Sequence, residues 1–396
     1  MLRLKDTRHA HTRAFLKPAI KLAEYYGFKP FEDAWKDAPS FRRVVQAREP
    51  LAFVRRDERS LVAVARKCAA CVKKQPTALL WRIGSTKERS GTPGTSLDLH
   101  VVGVPSPVAE VLLILLTDRI AQHAGVEKRA IALNSIGSAD SSGRYMRDIG
   151  GFLRKHLESI SPTLRGRAAT DPFGTLVQLI DRGHPIVSRA PQSMEYLTEE
   201  ERKRFWELLE YLEVLRLPYE LHAQILGSRD CWSHTLFEVA TTDTETGARL
   251  PFAYGGRYDP LISWVSGVPS SAVRVSIECE TRGRTRLDRV VSDVPAIYFL
   301  HLGREARRKV FDVLELLREA DIPVHQSLLY ERLGEQMEAA RTFGVPYMLI
   351  MGHKEATEGN IMVREVATNA QDTVPVNELV GYLKRRRVQN WKPIAV

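Results

Sequence analysis

Apolar residues recur every three or four positions over residues 7–26, which predicts a long helix carrying one proline, Pro18. The same period over 60–74, rich in Val and Ala, predicts a second helix. Residues 78–84 and 97–104 then read as two strands. The intervening KERSGTPGTS has the Gly, Pro, Ser and Thr content of a hairpin loop. A helix follows over 107–123, its apolar run broken by Glu110, and IALNSIGS opens another strand. From 138 to about 217 the pattern is helical and strongly charged, with Glu and Lys/Arg interleaved so that i,i+4 pairs form on an exposed face. Strands return at 235–241, 249–253 and 272–278, and the hydrophilic stretch 281–292 reads as a linker.

Beyond that linker the rhythm changes. Short apolar strands at 296–302, 324–327 and 347–351 alternate with helices at 304–320, 332–343 and 376–387. Such alternation implies βαβ crossovers and a mainly parallel sheet. Gly344 stands where a C-terminal glycine cap is expected. The chain therefore divides into a core over 1–290, with a helical insertion at about 140–217, and a second domain over 294–390. Its 396 residues exceed what one hydrophobic core usually supports.

Composition adds boundaries rather than identity. At 44% hydrophobic and 27% charged the chain is of ordinary globular type. It has no apolar stretch of about 18 residues, and its first residues lack the apolar segment of a secretory signal. Four cysteines provide no disulfide framework and suit a reducing compartment. The expectation is a cytoplasmic protein with no membrane association.

The formal net charge of +10 is unevenly spread. Residues 1–100 hold 21 Lys and Arg against 10 Asp and Glu, whereas 300–396 hold 14 against 13. A smaller basic cluster, Arg282, Arg284, Arg286 and Arg289, falls in the linker, and Lys384, Arg385 and Arg386 lie near the chain's end. Such patches attract phosphate-rich partners, in a manner that fades with salt. In the last helix the cations also favour the dipole.

Candidate chemistry concentrates in YGGRYDPL, residues 254–261. Gly255 and Gly256 allow close backbone approach, and Arg257, Tyr258 and Asp259 bring charge and hydrogen bonding to that point. The string resembles the GGRYDGL motif of histidyl-tRNA synthetases, with Pro260 in place of a glycine. Other similarities follow the same order along the chain. LNSIGS at 133–138 resembles LNSLGS, and 226–239 stands where the family has RGLDYY and a TVFE strand. GTSLDLHVVGV at 94–104 is similar to the second half of class II motif 2. Residues 303–306, 336–340 and 349–352 resemble the synthetase anticodon-binding domain. The resemblance runs from about residue 8 to 388. It implies an α+β fold: a class II synthetase-like antiparallel sheet with helices and a helical insertion, then an α/β anticodon-binding-like domain. It also implies a homodimer.

The departures fall where the chemistry would be. Adenylate formation builds charge on a phosphate, which arginines neutralise in this class. By resemblance, one arginine belongs in a FRYER string; here residues 85–89 read STKER, so Thr86 or a gap takes that place and Arg89 matches the later arginine. The arginine opening RGLDYY is Gly227, with Arg229 two positions late, and the motif 3 arginine falls on Thr281. Loss of one such group costs on the order of 10²–10³ in rate. The family's RPEGT corresponds to 55–59, RRDER, where Asp57 keeps the acid but Arg59 replaces a small Thr. The paired tyrosines become Cys231 and Trp232, and the motif 1 proline becomes Ala34.

The expected remnant pocket is thus Asp57, Arg89, Arg229 and Arg257, with Gly255, Gly256, Arg257, Tyr258, Asp259 and His100 as ligand-binding residues. Arg282, Arg284, Arg286, Lys384, Arg385 and Arg386 are candidates for RNA contact. Cys68 and Cys71 form a CxxC on a helix, but Cys231 and Cys279 are isolated, so no metal site is expected. No P-loop, HExxH or GxSxG string occurs.

The leading expectation is a synthetase-like protein that no longer activates histidine, needs no cofactor, and binds tRNA or another RNA, or regulates a protein partner. The alternative is a divergent histidine–tRNA ligase using ATP and Mg²⁺, with Arg89, Arg229, Arg257 and Arg282 re-supplying the lost charge. A third reading, a regulatory subunit like the synthetase-like partner of ATP phosphoribosyltransferase, is disfavoured by the second domain, which that group usually lacks.

Overall fold

The computed structural model describes residues 11–32, 56–72, 77–87, 93–242, 247–280, 295–386 and 388. These fall in two compact units. Of the described residues, the first takes in those between 30 and 212 and between 217 and 280, and the second takes in 13–29, 213–216 and those from 295 onward.

The first unit is built on an eight-stranded sheet. Its strands are β1 (Lys29–Pro30), β2 (Ala78–Lys87), β3 (Pro93–Val102), β4 (Arg129–Ser135), β5 (Tyr219–Leu221), β6 (Ser233–Thr242), β7 (Arg249–Arg257) and β8 (Ala272–Glu280). Their order is β1-β2-β3-β8-β7-β6-β4-β5. The pairings from β2 through to β4 are antiparallel, and β5 joins β4 in parallel. The β2–β3 hairpin runs in continuous register from Ala78↔Val102 to Lys87↔Pro93, as the alternation and the Gly/Pro-rich connection predict.

Alternation along β3 and β8 divides the sheet into two faces. Leu97, Leu99 and Val101 pair with Ile277, Val275 and Val273, and all six are fully buried. The opposite face carries Ser96, Asp98 and His100 beside Arg274 and Ser276. Helix α3 (Val108–His123) packs on the sheet and is buried nearly all round, which its apolar run requires. Helices α2 (Arg56–Val72) and α8 (Asp259–Ser266) pack on each other, and Leu61, Val64, Ala65 and Cys68 meet Tyr258, Leu261 and Ile262 in one core.

The same core continues into the helical insertion. That insertion comprises α4 (Ala139–Lys155), α5 (Pro162–Thr170), α6 (Pro172–Asp181) and α7 (Glu199–Val214). Pro162 and Pro172 open their helices at positions where no intrahelical N–H is lost, and the Asp171 side chain caps α6 through the Gly174 N–H.

The second unit has a five-stranded sheet of order β10-β9-β11-β12-β13. Strands β9 (Ile297–His301), β10 (Val324–Gln326) and β11 (Tyr347–Met351) are parallel, linked through α9 (Gly303–Glu319) and α10 (Leu333–Phe343). Gly344 ends α10 in the left-handed conformation, as the sequence predicts. A short helix, α11 (His353–Glu358), precedes β12 (Asn360–Glu365) and β13 (Gln371–Pro375), and α12 (Leu379–Arg385) closes the unit. Strands β12 and β13 are antiparallel, so the sheet is mixed rather than mainly parallel. Their alternation is weak because the outward positions are polar, and the hairpin reverses at Asn369 with φ 59°.

Helix α1 (His11–Tyr25) also belongs to the second unit. The Tyr25 hydroxyl donates to the carbonyls of Leu314 and Ile322, and Tyr26 donates to Glu315 on α9.

Candidate functional site

Strand β7 delivers Gly255, Gly256 and Arg257 to the middle of the large sheet, and α8 begins two residues later. Both glycines are required by space. A Cβ on Gly255 would stand 2.2 Å from the Phe237 ring and 2.7 Å from the Arg274 carbonyl. On Gly256 it would meet Leu236 at 2.6 Å and the Trp232 indole at 3.1 Å. The room these glycines leave is filled by this chain's own side chains.

Arg257 is fully buried, and its donors are engaged inside the fold. Nε donates to Glu110 Oε1 at 2.8 Å and Nη2 to Glu110 Oε2 at 2.6 Å, a bidentate pair. Nη1 reaches the Val104 carbonyl at 3.0 Å and Asp259 at 3.4 Å, and Nη2 also reaches the Ser106 carbonyl at 3.1 Å. Arg204 meets the same Glu110 at 3.1 Å. Burial works to raise the Glu110 pKa, but Arg257 and Arg204 overcome it and hold the carboxyl at about 2. Asp259 is pushed above its ordinary value by burial, against the pull of Arg257 and the Ala272 N–H. The arrangement fixes the β7–α8 corner to the start of α3.

Tyr258 and His100 form a second buried group. His100 Nδ1 lies 3.1 Å from the Tyr258 hydroxyl, which donates to Cys68 Sγ at 3.8 Å. Burial, assisted by Arg274, lowers the His100 pKa to about 3, so the ring is neutral at pH 7.

Beside His100, Asp98 gathers Arg82 at 3.0 Å, Ser276 at 2.6 Å and Arg274 at 3.9 Å. Burial would raise its pKa, but Arg274 and Arg82 prevail and hold it low. The two guanidiniums share one carboxylate on this sheet face, where neither is free of a counter-charge.

Glu58, in the first turn of α2, is fully buried and accepts from the Ser228 N–H at 2.8 Å and the Trp232 Nε1–H at 3.1 Å. Trp232 lies against Gly227 and Gly256 and belongs to the α2–α8 core. Sequence reasoning singles out Asp57; its side chain lies outside the described residues, and the buried carboxylate is its neighbour. Glu110 also escapes a reading by motif, although its interruption of an apolar run is the available signal.

Of the expected remnant pocket, Arg229 is about half exposed, 3.8 Å from Asp230, while Arg257 is sealed inside. Those two arginines do not converge on one open pocket. Arg89, Arg282, Arg284 and Arg286 lie outside the described residues. Lys384 and Arg385 occupy the last turn of α12, exposed, and Arg386 follows it, bound to Asp372 at 3.1 Å and stacked over Tyr382. Among the described residues, no three His, Cys, Asp or Glu side chains group as metal ligands, and no helix is long and apolar enough to cross a membrane.

A twisted antiparallel sheet with a helical insertion, joined to a five-stranded α/β unit, is the plan of a class II synthetase core followed by an anticodon-binding-type domain. Comparison with known proteins agrees. A family model described as an anticodon binding domain matches residues 297–386. Histidine–tRNA ligases of Geobacillus kaustophilus and Symbiobacterium thermophilum are 25% and 28% identical over 293 and 298 residues, covering 73% of this chain and 68% of each relative. The apo S. aureus histidyl-tRNA synthetase structure shares the fold, with TM-score 0.50 and 18% identity over 97% of this chain and 98% of that one. The chain is thus similar in sequence to histidine–tRNA ligases over 73% of its length and shares the histidyl-tRNA synthetase fold.

Proposed function

We propose that this protein is a paralogue that does not form histidyl-adenylate and instead binds tRNA or a related RNA through the synthetase frame. The observation that carries the first half is the packing of Trp232 against Gly227 and Gly256, with its indole N–H on buried Glu58. Glu58, the neighbour of the Asp57 that the resemblance assigns as the ammonium-binding acid, is committed to a backbone N–H and an indole, which fills the space beside that position with this chain's own groups. Arg257 is likewise saturated by Glu110 and carbonyls, and so has no donor left for a developing phosphoryl charge. Thr281 and Gly227 stand where the resemblance places two further arginines.

The RNA half rests on the anticodon-binding-domain match and on the exposed cations Lys384 and Arg385. Regulation of a protein partner is the other use such a frame supports, and a homodimer in the cytoplasm fits both.

Histidine-dependent ATP–pyrophosphate exchange, run beside an authentic synthetase, tests the reading. The expected result is background exchange from folded protein. Exchange well above background would instead establish the divergent ligase, with ATP and Mg²⁺ as its requirements. A tRNA mobility-shift titration tests the second half, and absence of binding at low salt would remove it.

A further inference from the structure

Phe343 closes α10 and is 44% exposed. His325, on the edge strand β10, stacks on it with ring centroids 3.9 Å apart and planes 23° apart. Tyr298 of β9 is the direct register partner of His325, and its ring lies 5.9 Å from Phe343 and 6.5 Å from His325. The Tyr298 ring is buried, and its hydroxyl has no hydrogen-bond partner among the described residues. Burial, then Lys29, lowers the His325 pKa to about 4, so at pH 7 the ring is uncharged.

Three rings thus form a layered array at a sheet edge, anchored from beneath by Tyr298 and open to water at Phe343. Lys29, an exposed cation, is the charge that acts on the His325 ring. A flat neutral π surface beside a lysine suits a ligand with a planar face and an anionic backbone. An acidic peptide would match the charge but not the flat face.

We infer that Phe343 and His325 form a stacking platform for one unpaired base of a bound RNA strand, with Lys29 placed for its backbone phosphate. This rests on the RNA-binding reading above and assigns it a residue-level contact. Stacking on an aromatic side chain is tolerant of base identity, so the platform adds affinity rather than sequence selection.

The test uses the full chain and an unstructured RNA of about 12 nucleotides, within the span such strand-binding sites cover, carrying one 2-aminopurine whose fluorescence is quenched by stacking. Wild-type protein is expected to bind and quench. Phe343→Ala should weaken binding by about 5- to 100-fold and abolish the quench. Phe343→Leu, which keeps apolar volume without the ring, should behave like Ala, and Phe343→Trp should restore both signals. Unchanged affinity and quench in the Ala and Leu variants would overturn the platform while leaving RNA binding intact. A change in oligomeric size without a change in RNA affinity would also overturn it, since the face would then belong to a second copy of the chain. Failure of wild-type protein to bind RNA at about 50 mM salt would overturn both this inference and the RNA-binding reading.

Discussion

Glu110 illustrates what a single residue does here. It is a carboxylate inside an apolar helix, fully buried, and tolerable only because Arg257 and Arg204 surround it. Removing its charge strands Arg257 in the interior. Glu110→Gln is therefore expected to destabilise the first unit by about 3–5 kcal/mol, read as a lower urea midpoint with little change in slope. A midpoint within error of wild type would show that Arg257 finds another counter-charge. The pH dependence has a definite sign. The folded Glu110 pKa is depressed to about 2 from 4.5, so its contribution is complete above pH 4.5 and drains away as pH falls toward 2. His100 acts earlier. Its folded pKa is depressed to about 3 from 6.5, the unfolded chain takes up the proton first, and stability declines as pH falls below 6.5. Thermal melts of wild type should weaken from pH 6.5 downward, and His100→Gln should make the limb between pH 6.5 and 4.5 shallower without abolishing it, because His234, His301 and His325, each lowered to about 4, act in the same window. The same slope in the variant would assign that limb to another group.

At the scale of elements, the β6–β7 pair and α8 explain why the most recognisable motif is not an open site. Gly255 and Gly256 let β7 pass under Phe237, Leu236 and Trp232, and the bulge between Ser233 and Leu236 accommodates that passage. Gly255→Ala should cost about 1–3 kcal/mol from overpacking, because the new methyl meets both a ring and a backbone carbonyl. A neutral effect in chemical denaturation would mean that the Phe237 ring moves aside freely. Trp232→Ala should remove about 3–5 kcal/mol of packing and still give no pyrophosphate exchange, since opening space supplies no arginine. Recovered exchange in that variant would show that Trp232 alone silences the pocket.

For the whole molecule, the excess of cations over residues 1–100 and the exposed pair Lys384 and Arg385 predict salt-dependent RNA binding. Replacing Lys384 and Arg385 with Ala should lower the slope of log affinity against log salt by about 0.7–0.9 for each phosphate that is no longer neutralised. An unchanged slope would place RNA elsewhere on the protein.

The sequence by itself determined the order of elements, the helical insertion, the βαβ character of the second unit and the family frame. These follow from the spacing of apolar residues and from turn chemistry, which neighbouring positions carry. It also singled out the GGRYD segment and His100. It did not reveal β12 and β13, whose outward positions are too polar to alternate cleanly, nor the membership of α1 in the second unit. Tertiary structure alone decided which polar groups meet. Arg257 and Glu110 stand 147 residues apart, and Glu58 and Trp232 stand 174 apart. Their pairing depends on strand register and on the docking of α2 and α3, which bring distant charges together out of water. A residue type announces the chemistry it is capable of, but only its buried neighbours decide whether that capacity is left free for a ligand.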